Sequence, residues 1–200
     1  QCAAGDPCGA GSPVRWLDHR DPVPAPLRGA IVALGNFDGF HKGHQAVAGE
    51  AIRWAREEER PAIVATFDPH PVQFFRPDTP PFRLTSLEQR HELYLAFGAS
   101  AMLVFHFDAD LAGTGAEDFI EQILVERFGA HGVLTGEDFT FGKGAAGDAA
   151  LLKSHGAKFG LEARTVSAVS EGEQIVSSSR IRELLKEGKP QAAADLLTRP

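Results

Sequence analysis

The chain has 200 residues, 43% of them hydrophobic and 24% charged, an ordinary globular make-up that can bury a core without disulfide or metal staples. Its net charge of −7 argues against a protein that tracks a nucleic-acid backbone, which calls for a basic stripe. No run of 18 apolar residues and no basic-then-apolar leader occurs, which argues against a membrane span and makes the cytoplasm the expected location.

Residues 1–13 are small, polar and glycine-rich and read as a disordered tail; it carries both cysteines, Cys2 and Cys8, as thiols and not as a disulfide framework. The first residue is Gln, so the ends are expected to be cut. Trp16 to Arg28 is punctuated by Pro22, Pro24 and Pro26 and reads as an extended lead-in to a domain over 14–190. Ala30–Leu34 is then a short apolar strand, His44 to Glu59 has helical spacing, and Ala62–Phe67 is a β-branched strand. Thr85 and Glu88 form a capping-box pattern for a helix that stops at Gly98. Ala101–Phe107 is a strand. Thr114 and Glu117 repeat the capping pattern for a helix ending at Gly129. His131–Thr135 and Leu161–Val166 are strands, with a helix over Asp148–His155 between them. Ser178–Lys186 is a last helix, closed by Gly188 and Pro190, and 191–200 reads as the start of a linker. Short strands alternating with helices predict an α/β, Rossmann-like parallel sheet with helices on both faces. Ligands of such sheets bind outside the carboxyl ends of the strands.

The stretch Gly35 to His44, "GNFDGFHKGH", occupies such an end. The following helix offers free N–H groups and a positive dipole end, and glycines at 35, 39 and 43 let backbone approach a ligand. His41, His44 and Asn36 supply donors without deprotonation chemistry, which suits phosphate transfer, a reaction of positioning and charge stabilisation. A zinc site would want a third protein ligand; Asp38 could serve, but no cysteine is near, and no metal ligands are assigned. Ser177, Ser178 and Ser179 precede a helix whose first turn carries Arg182, a second anion-binding pattern suited to pyrophosphate. "GKGAAG" (142–147) matches G-x-G-x-x-G, but its strand ends at Thr135, six residues too early for the pattern to follow it directly, so it reads as a mobile ligand loop and not a dinucleotide fingerprint. Asp68 and His70 stand in "TFDPHP" at another strand's carboxyl end, where a turn aspartate is the plainer reading of Asp68 and a flavin or magnesium-water contact the sharper one.

These motifs together resemble the prokaryotic FAD synthetases of the nucleotidylyltransferase superfamily. "GNFDGFHKGHQ" is similar to the family's G-N-F-D-G-V-H-x-G-H-Q, with Phe40 where valine is commoner. "TFDPHP", "LTSLEQRHELYLAFGAS", "GEDFTFGKGAAGD" and "VSSSRIRELL" resemble its later blocks in order, with Ser179 where threonine is usual. The resemblance implies an H-x-G-H nucleotidylyltransferase fold and FMN adenylyltransferase activity, with Mg²⁺ accompanying ATP, FMN as substrate and FAD as product. It implies that His41, His44, Asn36 and Arg182 act in catalysis. ATP is expected at Gly35, Phe37, Gly39, Gly136, Asp138, Ser177, Ser178 and Ser179, and FMN at Asp68, Pro69, His70, Phe139 and Phe141. Transfer to a nicotinamide or pantetheine phosphate, or an idle flavin- or nucleotide-binding protein, are the alternatives. In bifunctional members of the family a stretch like Leu197–Pro200 leads into a riboflavin kinase module, expected beyond this chain.

Overall fold

Six parallel strands form the centre of the computed structural model, which describes residues 16–80 and 83–199. They are β1 (Leu17–Asp18), β2 (Ile31–Leu34), β3 (Ala62–Asp68), β4 (Ala101–His106), β5 (Gly132–Gly136) and β6 (Glu162–Val166), in the order β1-β4-β3-β2-β5-β6. The tail expected at 1–13, with Cys2 and Cys8, lies outside the described residues. The expected α/β parallel sheet is therefore present. Its order turns back between β2 and β5, which pair with each other at Ile31 and Gly132. Chains leaving those two strands at their carboxyl ends diverge, and the crevice between them is the switch point where ligands bind.

The central strands β2, β3, β4 and β5 are buried on both faces and read as near-continuous apolar runs, whereas the edge strands β1 and β6 carry polar residues. Alternation sorts β2: Val32 and Leu34 face one core with Ile63, Phe105, Ile120 and Leu124, while Ile31 and Ala33 face another with Val64, Met102, Trp54 and Tyr94. The second core is covered by α1 (Lys42–Glu57) and α3 (Leu87–Phe97), both on that face. The first is covered by α5 (Ala116–Asp118), a π-helical continuation over Phe119–Arg127, and α6 (Ala149–Ala157). A third, smaller cluster joins α7 (Ser178–Lys186) to α8 (Pro190–Leu197) through Val176, Ile181, Ala193 and Leu196.

Several local expectations are corrected. The first capping box forms one residue later than read: Ser86 accepts from Gln89 N and the Gln89 side chain accepts from Ser86 N. The second does not form; Gly115 is the N-cap, and the Thr114 hydroxyl donates instead to Asp110 O. That helix widens to π geometry, with Phe128 N bonded to Ile123 O, for which the sequence offers no signal. Two short helices, α2 (Pro71–Phe75) and α4 (Ala109–Gly113), were not expected, nor was the hairpin β7 (Ser170–Glu171) and β8 (Gln174–Ile175). α7 ends at Lys186 as expected, but Pro190 opens a further helix that was not expected. It sits in the first turn of α8, where proline's fixed φ and missing N–H suit a helix start.

Candidate active site

The loop after β2 is held by side-chain donors, one per carbonyl. Phe37 O accepts from Tyr94 Oη (3.0 Å), Asp38 O from Ser178 Oγ (2.8 Å), Gly39 O from Arg199 (2.5 Å) and Phe40 O from Gln45 Nε2 (2.9 Å). The loop needs this support because Phe37 and Phe40 hold φ of 42° and 48°, values costly for non-glycine residues. Gly39 has φ 88°, and a Cβ there would come within 2.8 Å of Leu84, so glycine is required.

The His41 ring closes the loop as the N-cap of α1. Its Nδ1 accepts from Gly43 N (3.1 Å) and His44 N (3.4 Å). An Nδ1 that accepts cannot carry a proton, so the neutral ring's hydrogen is on Nε2, which is left as a donor. A Cβ at residue 43 would lie 3.0 Å from that ring, so Gly43 is what lets the imidazole fold over its own helix start. The His44 ring stacks on it, centroids 3.6 Å apart and planes within 20°. Burial and then the Arg182 charge push His41 down to about 4. Burial pushes His44 well below its usual range too, helped by His41 and the arginines. His70 repeats the pattern: Nδ1 caps α2 by accepting from Val72 N (3.1 Å), and burial plus Arg182 push it to about 4. The site thus presents three neutral imidazoles near pH 7.

Two adjoining cavities open at the switch point. The more polar one, about 400 Å³, is lined by Gly35, Asn36, Phe37, His41, His44, His70, Gly136, Glu137, Asp138, Phe139, Thr140, Ser177 and Ser178, together with apolar side chains such as Val47, Val166 and Val176. The other, about 330 Å³, is an aromatic cup of Phe67, Phe75, Phe107, Phe119, Phe139 and Phe141, with Val72 and Leu111. Both sizes fall in the range of small-molecule sites. The cavities share Asn36, His70, Phe139 and Thr140. Two buried atoms beside them lack protein partners, Asn36 Oδ1 and His44 Nδ1.

Most of the expected site residues come together here. Gly35, Asn36, Phe37, His41, His44, Gly136, Asp138, Ser177 and Ser178 line the polar cavity, and Phe139, Phe141 and His70 line the aromatic one. Gly39, Asp68, Pro69, Ser179 and Arg182 line neither. Gly39 shapes the loop, as above. Asp68 is ion-paired with Arg83 at 2.7 Å, and Ser179 is exposed. Arg182 binds Asp38 at 2.8 Å, close enough to depress His41 and His70. "GKGAAG" is pinned at its base, where Phe141 and Gly147 exchange backbone hydrogen bonds and Lys143 N donates to Thr114 O; its Gly142, Gly144 and Ala145 edge the aromatic cup.

Asp38 and Arg90 were missed as site-building residues. Asp38 is buried and accepts from Leu84 N, Thr85 N, Thr85 Oγ1, Arg90 and Arg182. Burial alone would raise its pKa, but those hydrogen bonds and the Arg90 charge outweigh it and hold the carboxyl low. Arg90, 2% exposed, reaches Asp38, Thr85 Oγ1 and Thr66 Oγ1 from α3. The available signal was a charge at position 90, in helical step with apolar Leu87 and Tyr94. Among the described residues no group of three or more His, Cys, Asp or Glu could hold a metal ion, and no helix is long and apolar enough to cross a membrane.

Comparison with known proteins fits this geometry. A family model described as FAD synthetase matches residues 23–180. A bifunctional riboflavin kinase/FMN adenylyltransferase of Escherichia coli is 32% identical over 176 residues, 88% of this chain and 56% of that protein. Its namesake in Pseudomonas fluorescens is 34% identical over 86% of this chain and 55% of its own length. The chain thus spans about half the length of these curated relatives. A protein of Geobacillus thermodenitrificans, given the same description as a candidate, is 34% identical over 87% of this chain and 92% of its own length. Among solved structures, a macrolide-efflux protein from Streptococcus pneumoniae superposes with a TM-score of 0.80 at 26% identity, covering 92% of this chain and 61% of that one.

Proposed function

Because this chain belongs to the FAD synthetase family, we propose that it is an FMN adenylyltransferase, a nucleotidyltransferase that joins ATP and FMN into FAD and pyrophosphate. The observation that carries the reading is the meeting of an aromatic cup with a polar, imidazole-lined cavity at Asn36, His70, Phe139 and Thr140. A flat, apolar flavin suits the cup, where offset and edge-on ring contacts are available. A triphosphate suits the cavity at the starts of α1 and α7, whose positive dipole ends favour anions.

In this reading an FMN phosphate oxygen attacks the α-phosphorus of ATP. The new O–Pα bond forms as the bond from Pα to the bridging oxygen of the β-phosphate breaks, and that oxygen leaves with pyrophosphate. No covalent enzyme intermediate is required. His41 Nε2–H and His44 donate to the α-phosphate oxygens, with Asn36 beside them. Donors fixed in advance stabilise charge as it develops at no reorganisation cost. Ser177 and Ser178 at the start of α7 hold the leaving phosphates. Arg182 is 17% exposed on its side chain and paired with Asp38, and it biases the same region positively. Mg²⁺ would arrive on ATP; a site rich in donors and without a three-ligand cluster fits a metal held mainly by phosphate. The reading implies a cytoplasmic enzyme, and in longer relatives a riboflavin kinase module as neighbour.

The test is an acceptor panel. The chain is incubated with ATP, Mg²⁺ and, separately, FMN, nicotinamide mononucleotide and phosphopantetheine, and products are separated by chromatography. FAD from the FMN arm alone is expected. A dinucleotide from another arm, with none from FMN, would transfer the site to a different acceptor.

A further inference from the structure

The segment read as a linker is built onto the catalytic loop. Thr198 ends α8 in the left-handed region at φ 60°, and the turn brings Arg199 across the loop after β2. The Arg199 guanidinium donates to Gly39 O (2.5 Å) with one nitrogen and to Leu197 O (3.2 Å) with the other. Gln45 Nε2 donates both to Thr198 Oγ1 (2.9 Å) and to Phe40 O (2.9 Å). The Leu197 side chain packs 3.4 Å from where a Gly39 Cβ would be. Both peptide groups flanking Gly39 are thereby held, since its N–H donates to Thr85 Oγ1 (3.0 Å) while its carbonyl is taken by Arg199.

Gly39 lies two residues before His41. A glycine at positive φ has little intrinsic preference between neighbouring conformers, so its partners decide how the next peptide leaves it. Here that peptide leads through Phe40, itself at φ 48°, into the ring that caps α1. Arg199 is partly buried, and burial lowers its pKa, yet an arginine so placed stays charged, so the bond to Gly39 is charge-assisted.

We propose that Arg199 is a positioning residue for adenylyl transfer: it fixes the Gly39 carbonyl and so sets where the His41 imidazole meets the α-phosphate. The proposal rests on the FMN adenylyltransferase reading. Its substrate-binding prediction is distinct from that of a residue that touches ATP or FMN. A displaced donor costs turnover while ground-state binding of substrates is kept.

The test uses the full chain with Arg199→Ala and Arg199→Lys, measuring FAD formation, thermal midpoint and hydrogen exchange over residues 36–44. In Arg199→Ala kcat is expected to fall about tenfold or more, with KM for ATP and FMN within about twofold of the parent. Millimolar guanidinium ion should restore part of the lost kcat in that variant and none in the parent. Arg199→Lys should lie between the two, because one ammonium reaches Gly39 O without the planar fork. Exchange over 36–44 should quicken in Arg199→Ala while β2 and β3 stay protected. Parental kcat, or a loss matched by lower folded fraction with no rescue by guanidinium, would overturn the proposal. If the parent makes no FAD, the adenylyltransferase reading falls, and exchange over 36–44 still decides whether Arg199 holds the loop.

Discussion

At a ring separation of 3.6 Å, His41 and His44 could not both be charged without strong repulsion, and burial keeps them neutral. Neutral rings suit the proposed role, since each then offers one directed N–H and takes no part in proton transfer. Replacing either by alanine should lower kcat roughly 10²–10³-fold, the scale for losing one transition-state donor. ATP affinity, read by titration, should change far less; parental turnover in either variant would remove the histidines from the chemistry. The buried rings also set a pH dependence of stability. His41 and His70 titrate near 6.5 when unfolded and near 4 when folded, and His19 is depressed in the same direction. Between those values the unfolded chain binds more protons, so this stabilisation is whole above about 6.5 and drains as pH falls toward about 4. Urea denaturation should therefore give a lower midpoint at pH 5 than at pH 7.5, and His41→Asn, which keeps a capping acceptor, should shrink the difference. Equal midpoints would mean the rings are not buried neutral. Asn36, His41, His44 and Ser177 were legible in the sequence because each marks polarity at a strand-to-helix junction. Asp38 was legible only as a polar loop residue, since its partners lie 46 residues away at Leu84 and 144 away at Arg182.

The long strands and helices could be read because their signals are local. β3 is a mostly apolar run rich in β-branched residues, and α1 repeats its apolar face over several turns. Among the elements missed, α2 and α4 are five residues each, too short for a period to register. Pro190 misled because proline both stops one helix and starts another, and nothing local distinguishes the two when a glycine precedes by two residues. The slip from Ser86 to Thr85 has a physical sequel. Ser86 is the cap, whereas Thr85 Oγ1 accepts from Gly39 N and Arg90 Nε and donates to Asp38, all buried. Ser86→Ala should cost about 1 kcal/mol, an ordinary lost cap. Thr85→Val leaves buried donors without a partner and should cost more, roughly 1–3 kcal/mol per orphaned group. Denaturation midpoints of the two variants check the order; Ser86→Ala as the more damaging change would contradict this division of roles.

Strand order belongs to the whole molecule and no short window carries it. The alternation of strands and helices predicts a parallel sheet, but the neighbours of β2, which are β3 and β5, follow from which cores fill and not from any motif. That order separates the loops after β2 and β5 and opens the larger cavity between them, while the aromatic cup is walled also by the segments that follow β3 and β4. It also explains why motifs more than 100 residues apart, at His41 and Ser177, line one site. The described residues contain this single six-stranded sheet and a two-stranded hairpin. The central claim, direct transfer between the two cavities, is tested by supplying ATP labelled at the α-phosphate with FMN and Mg²⁺ and following the label by chromatography. The account predicts that label passes into FAD in step with pyrophosphate release, with none retained on protein or released as AMP. Label trapped on the protein, or released as AMP without FAD, would contradict it.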